Sequence, residues 1–487
     1  MSGSEVLIRL WAPLADSAFA VVDGQRLPMR PQDPGYWTID LPAGTDYLLA
    51  IDDQEPRPDP RSAQQPFGVH GPSRAFDTSA YRWNDAQWPG IDVVGSVFYE
   101  LHVGTFTPAG TLDSAIDKLD HLVRLGVQTV ELMPVVPFPG DRGWGYDGVD
   151  LYAVHEAYGG PAALQRFVDA AHGRGLAVCL DVVYNHFGPA GNYAPVFAPY
   201  FTDKHDTPWG SAINLDDEHS DGVRDFICEN AIRWLREFHI DALRLDAVHA
   251  LVDEALQHIL AELSERVDAI RPSLPRPVAL IAESDLNQPS MVEPRSAGGM
   301  GMDAQWADDV HHALHAYLTD ETFGYYVDFG PASVLRQALE DVFVHNGSYS
   351  TFRERNWGAP VPKNLDRRRF VVFTQNHDQV GNRGLGDRPD VKLPAGAVAG
   401  GAALLLLSPF TPLLFQGQEW GTRRTFLFFT DHEPELGAAV TEGRLAEFQS
   451  HDWEAIYGPD PAIPDPQALS TFENSKLDWW ELDDPPN

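Results

Sequence analysis

Cysteine is nearly absent: two residues, Cys179 and Cys228, in a chain of 487. Two thiols cannot build a disulfide framework. Neither belongs to a Cys/His cluster with zinc-ligand spacing, and both fall in apolar stretches that read as buried free thiols. Basic residues are scarce too, 35 Lys and Arg against 71 Asp and Glu, a formal net charge of −36. A surface this acidic repels phosphate backbones and anionic lipid, which argues against nucleic-acid and membrane-surface partners. The N-terminus lacks a basic stretch followed by an apolar run, so no secretory leader is expected and a cytoplasmic protein is the default. No Gly-rich dinucleotide fingerprint or phosphate loop follows the first strand of the alternating region. One uncharged run, 395–415, is long enough to span a bilayer. It is interrupted by Gly400-Gly401, Pro409 and Pro412, and reads instead as a buried helix running into a buried strand.

What is present is ordinary globular composition, 43% hydrophobic and 22% charged, which excludes a disordered chain, a collagen and a coiled coil. Residues 1–85 alternate apolar and polar over short runs punctuated by Gly, Pro and Asp, the pattern of a small antiparallel β-sandwich. A polar, Pro-rich segment at 55–73 reads as an extended linker packed on its neighbours. Beyond it, β-branched runs alternate with amphipathic helical patterns. Strands are expected at 97–102, 129–134, 177–183, 242–246, 278–283, 303–306, 370–374 and 413–416, with helices such as 111–125, 161–172, 223–238 and 253–268 between them. Eight alternations predict an α/β fold, a (β/α)8 TIM-type barrel over 86–487, rather than an open doubly wound sheet.

Barrel enzymes carry their chemistry at the C-terminal ends of the strands. The third strand is followed by Asn185-His186, the fourth by Arg244-Leu-Asp246 and His249, and the fifth by Glu283-Ser-Asp285. The sixth leads to Trp306 and Asp308-Asp309, the seventh to Asn376-His377-Asp378-Gln379. A charge ending an apolar strand is costly unless it is paired or used. Two carboxyl groups across a sugar can serve as nucleophile and general acid in glycoside hydrolysis, about 5 Å apart in retaining enzymes. Asp246 lies two residues from Arg244 on one strand face, so a guanidinium can keep it ionised. Glu283 follows the apolar run Val278-Ala-Leu-Ile-Ala282, where desolvation and the Asp246 charge favour its protonated form. Asp378 can bind ring hydroxyls, and His186 and His377 can donate to them.

DVVYNH (181–186), ALRLDAVH (242–249), AES (282–284) and QNHD (375–378) resemble the four signature regions of the α-amylase superfamily, in the family's order. The resemblance implies that Asp246 is the nucleophile, Glu283 the proton donor and Asp378 the transition-state stabiliser, with Arg244, His186 and His377 as subsite residues. FYELHVGTFTPAGT (98–111), GWGYDGVDLYAVHEAYGGP (143–161), MDAQWADDVHHALH (302–315) and QNHDQVGNRGLGDR (375–388) resemble, more narrowly, the maltooligosyltrehalose trehalohydrolase family. That family places an immunoglobulin-like, glucan-binding type of β-sandwich before the barrel. It cleaves the α-1,4 bond next to a terminal trehalose unit, on a substrate supplied by a maltooligosyltrehalose synthase. The resemblance makes Tyr146 a stacking platform beneath the cleaved sugar and sets His249 at the start of the leaving-group side. Trp306, Asp308 and Asp309 are expected on the wall that receives the trehalose, and Asn376 and Gln379 beside the substrate. His102 is open to substrate contact or to core hydrogen bonding. No cofactor or metal site is assigned. Some superfamily members hold calcium near the residue matching Asn185, but the remaining ligands cannot be located here.

The chain departs from the family near its end. SKLDWW (475–480) normally precedes the last barrel helix and a C-terminal β-domain, so both are expected to be missing and the eighth barrel position partly uncovered around 404–415. Two rival functions are a glycogen branching or debranching enzyme of the same superfamily and a non-catalytic glucan-binding protein. The second typically loses one of the three carboxylates, all of which are present.

Overall fold

The computed structural model describes residues 4–207, 210–450, 453–458 and 461–483. The leading segment forms two antiparallel sheets. One joins Glu5–Trp11, Tyr36–Pro42 and Arg30–Gln32; the other joins Gln25–Pro28, Ala18–Val22, Asp46–Ile51 and Ser73–Arg74. Alternation buries Ile8, Leu10, Ala18, Ala20, Leu41 and Leu49 between them. Trp11 and Tyr36 instead join the core that surrounds the barrel. Trp11 packs edge-on against Tyr200 at 5.3 Å and against Gly222, where a Cβ would lie 2.0 Å from the indole. Arg9 and Arg61 both clasp Glu229, at 2.8 and 2.6 Å, on the helix Ser220–Glu237.

Eight parallel strands close the barrel in sequence order: Phe98–Leu101, Thr129–Leu132, Ala177–Val182, Ala242–Leu245, Ala279–Ala282, Ala304–Trp306, Phe370–Phe373 and Thr411–Phe415. Leu413 pairs with Phe98 to complete the ring. Side chains alternate between faces of a strand. The outward set, including Tyr99, Leu101, Val130, Leu132, Leu180 and Leu243, packs in the core shared with the helices. The inward set begins with Phe98, Ala177, Ala242, Ala279 and Ala304. Toward the C-terminal mouth the same inward register reaches Glu100, Glu131, Asp181, Arg244 and Trp306, all buried.

Every barrel strand lies within two residues of its expected position. The helices differ more. The stretch 111–125 is broken into Leu112–Ile116 and Leu119–Leu125. The expected helix at 253 starts at Ile259, because Asp253 turns back to accept from the Ile259 amide at 2.6 Å and from Arg224 at 2.8 Å.

The expectation of a buried helix within 395–415 is corrected. The strand Thr411–Phe415 is buried, but the helix Ala395–Leu406 packs through a narrow stripe. Gly401 and Leu405 are buried, while Ala399, Ala403, Leu404 and Leu406 face outward and Leu407 is 86% exposed. No described helix is long and apolar enough to cross a membrane. An apolar helix face without cover favours self-association. Leu404→Glu with Leu407→Glu should therefore leave the melting midpoint unchanged to within about 0.5 kcal/mol of stability while lowering light scattering at high concentration. A large stability loss without a change in scattering would show that these leucines are packed.

Candidate active site

The site is assembled around one guanidinium. Arg244, on the fourth barrel strand, is fully buried, and its Nη1 donates to Asp181 Oδ2 at 2.6 Å and Asp246 Oδ1 at 3.0 Å. Its Nη2 forms an ion pair with Glu283 Oε2 at 2.9 Å. The guanidinium lies 4.4 Å over the ring of Trp306. One cation thus orients three carboxyl groups from the third, fourth and fifth strands, which could not share so small a volume unneutralised.

Backbone geometry completes the arrangement. Asn185 donates through Nδ2 to both Oδ2 and the carbonyl of Asp246, each at 2.8 Å. Ala247 adopts a left-handed conformation, φ 40°, unusual for a residue with a Cβ. That turn aims its amide at Glu283 Oε2, 2.7 Å away. Strain of this kind persists where surrounding contacts enforce it. Burial, opposed by Arg244 but reinforced by the Asp246 and Asp378 charges, pushes the Glu283 carboxyl up to about 8. Asp378, partly exposed, lies in the first turn of the short helix His377–Gly381 and accepts from Asn382 at 3.0 Å.

Tyr146 enters from the loop after the second strand. Gly145 must precede it: its φ is +100°, and a Cβ there would lie 2.4 Å from the Pro134 carbonyl. The Tyr146 hydroxyl donates to Asp181 Oδ2 at 2.7 Å and meets His377 Nε2 at 2.8 Å, the two rings stacked with centroids 5.2 Å apart. His186 bonds through Nε2 to the Tyr146 carbonyl at 2.9 Å and through Nδ1 to Asn185. Asp246, Glu283, Asp378, Tyr146 and His186 line a cleft of about 280 Å³, closed on one side by Phe428 and Thr430.

The remaining candidates separate. His249 is exposed at the rim and accepts from the Asp285 amide at 3.4 Å. Asp308 is half-buried, and burial, with the nearby Asp378 and Asp285 charges, raises its carboxyl to about 7. Four residues expected at the substrate have other partners. Asp309 accepts from the amides of Val344 and His345 at 2.7 and 2.9 Å and from Asn287 at 3.0 Å, anchoring a loop. Asn376 caps the following helix through the Gln379 amide at 2.7 Å. Gln379 accepts from Tyr326 at 3.3 Å. Trp306 is buried beneath Arg244 and forms a floor rather than a wall. His102, left open by the sequence, is a core residue bonded to the Gly143 carbonyl at 2.9 Å and to Tyr158 at 3.0 Å.

Residues that sequence reasoning passed over include Glu100, Asn185 in its role as a tether for Asp246, and the Phe428–Thr430 wall. Among the described residues, His205, Asp216 and Glu254 could converge on a metal. Asp216 already accepts from Lys204 at 3.0 Å and His205 at 2.9 Å, so a side-chain cation occupies that position.

The alpha-amylase catalytic-domain profile matches residues 73–197. The malto-oligosyltrehalose trehalohydrolase of Arthrobacter ramosus is 53% identical over 98% of this chain and 84% of its own length. That of Rhizobium sp. (strain M-11) is 51% identical over 97% and 80%. A crystal structure of a Salmonella typhimurium protein assigned provisionally to the alpha amylases superposes with a TM-score of 0.88 at 42% identity, covering 98% of this chain and 80% of that one.

Proposed function

The chain belongs to the malto-oligosyltrehalose trehalohydrolases of the α-amylase superfamily, and from that premise we propose that it hydrolyses the α-1,4 bond beside the terminal trehalose of maltooligosyltrehalose, with Asp246, Glu283 and Asp378 carrying the reaction. The observation that supports this most is the sharing of Arg244 by Asp246 and Glu283 at the cleft floor. Burial and the Asp246 charge push Glu283 toward its protonated form against the pull of Arg244, as the acid of a retaining glycosidase needs.

Asp246 attacks the anomeric carbon while Glu283 passes its proton to the departing 4-oxygen of the trehalose glucose. The glycosidic bond breaks, trehalose leaves, and the glycan remains esterified to Asp246. Glu283, now a carboxylate, takes a proton from water as its oxygen attacks the same carbon, restoring both groups. Asp378 stabilises the oxocarbenium-like sugar through its hydroxyls. Tyr146 supplies a face for the pyranose, and His186 and His377 line the cleft beside it. Asp308 and His249 sit on the leaving-group side, where a compact 1,1-linked disaccharide must fit. We read residues 1–85 as a glucan-binding unit fixed to the barrel through Trp11, Tyr36 and Glu229. We also infer a cytoplasmic enzyme working downstream of a maltooligosyltrehalose synthase.

Equal amounts of maltooligosyltrehalose and a plain maltooligosaccharide of the same length test the reading by chromatography. Trehalose should be released from the first while the second stays largely intact. Equal cleavage of both would replace it with a general amylase, and chain transfer without trehalose would replace it with a branching enzyme.

A further inference from the structure

Behind the cleft lies a charged group that the mechanism above does not use. Glu100 sits inside the first barrel strand, fully buried, 277 residues away from His377 in the chain. Its carboxylate grips that residue twice, accepting from Nδ1 at 2.5 Å and from the His377 backbone amide at 2.9 Å. We propose that Glu100 is a positioning residue for glycosidic cleavage, holding the His377 imidazole in its doubly protonated form and in the orientation that serves Tyr146 and Asp378. This rests on the reading that the cleft cleaves a glycoside.

The hydrogen-bond pattern carries the inference. A tyrosine hydroxyl has one proton to give. Asp181, locked to Arg244 at 2.6 Å, is an acceptor, so the Tyr146 proton points there. The contact between His377 Nε2 and the Tyr146 oxygen, at 2.8 Å, must then be donated by the imidazole. Nδ1 faces a carboxylate and donates as well. Both ring nitrogens therefore carry hydrogen, which makes the ring a cation.

The surroundings agree from every side. Burial alone would push His377 down, as does Arg244 on the fourth strand. Glu100 and Asp378 outweigh them and hold it near about 10. On the second strand, burial and then Glu100 and Asp181 raise the Glu131 carboxyl well above the usual carboxylate range. His102, beyond Glu100, is driven down to about 4 by burial and is neutral. The other neighbours are the uncharged rings of Trp144 and Trp306, with centroids 5.8 and 6.1 Å away. Glu100 balances His377 from the back of the site, while Asp378, whose Oδ2 lies 3.5 Å from Nε2, does so from the front and also faces the cleft.

The test has one arm independent of turnover. In 15N-histidine-labelled protein, with the signal assigned by its loss in His377→Asn, the His377 imidazole should remain charged from about pH 6 to 9. In Glu100→Gln it should titrate below its ordinary value of about 6.5. The alkaline limb of kcat should follow, moving from about 8, where Glu283 loses its proton, to below about 6.5. KM should change far less than kcat, since the sugar contacts remain. A neutral His377 in the wild-type protein at pH 8 overturns the proposal even if the variant does not fold. So does an unshifted pH profile in a folded Glu100→Gln. Failure of the wild-type chain to release trehalose would overturn the functional reading, while the imidazole titration would still decide the role of Glu100.

Discussion

Asp246→Asn should abolish turnover while leaving the fold intact. The amide keeps the shape of the carboxylate and can still contact Asn185, but it cannot form the ester with the anomeric carbon. A loss on the order of 10⁴-fold or more in kcat is expected for a nucleophile that acts as part of a unit. Arg244 retains Asp181 as a counter-ion, so the buried cation is not orphaned. The melting transition should therefore stay cooperative and near that of the unaltered chain. Removing the Asp246 charge also removes one of the forces that raise Glu283, so its carboxyl should titrate lower in the variant. Retention of near-normal activity by a folded Asp246→Asn would sink the assignment.

Glu283→Gln should be nearly as damaging, through the other half of the step. An amide accepts from the Ala247 N–H but cannot protonate a leaving oxygen, and general acid catalysis of this kind contributes about 10²–10⁴-fold. Because only the protonated carboxyl acts, wild-type activity should hold below the raised value and fall as pH passes through about 8. The same shift sets the sign for stability. A carboxyl raised in the folded state favours folding below its unfolded value, near about 4.3, and that contribution is lost as pH rises through about 8. A glycosyl fluoride, whose leaving group needs no proton, should recover much of the lost rate in Glu283→Gln. No recovery, with the alkaline limb still in place, would assign the proton to another group.

The strands were readable because a strand covered on both sides is a short continuous apolar run bounded by Gly, Pro or Asp. The signature carboxylates were readable because they end such runs. Glu100 was not, for the opposite reason. A glutamate at the centre of Phe98–Leu101 reads as a solvent-facing position in an alternating strand, and only ring closure shows that this face looks into the barrel. Asp309 and Asn376 were expected at the substrate from their adjacency to cleft residues. Each stands beside residues facing the cleft, yet one turn of helix directs Asp309 to the 344–345 amides and Asn376 to its own helix end. The exposure along Ala395–Leu406 was foreseen only toward its end, around 404, since an apolar helix looks the same whether or not a neighbour covers it.

The pairing of the first strand with the last also sets a schedule for synthesis. Phe98–Leu101 finds one partner in Thr129–Leu132 early, but its other edge, and the imidazole that Glu100 grips, come about 300 residues later. At ribosomal rates of about 5–20 residues per second this leaves roughly 15–60 s in which the nascent sheet has an open edge and a buried-type carboxylate without its counter-ion. The groups that make the cleft reactive therefore come together only when the eighth strand emerges, and until then the growing chain presents an open strand edge.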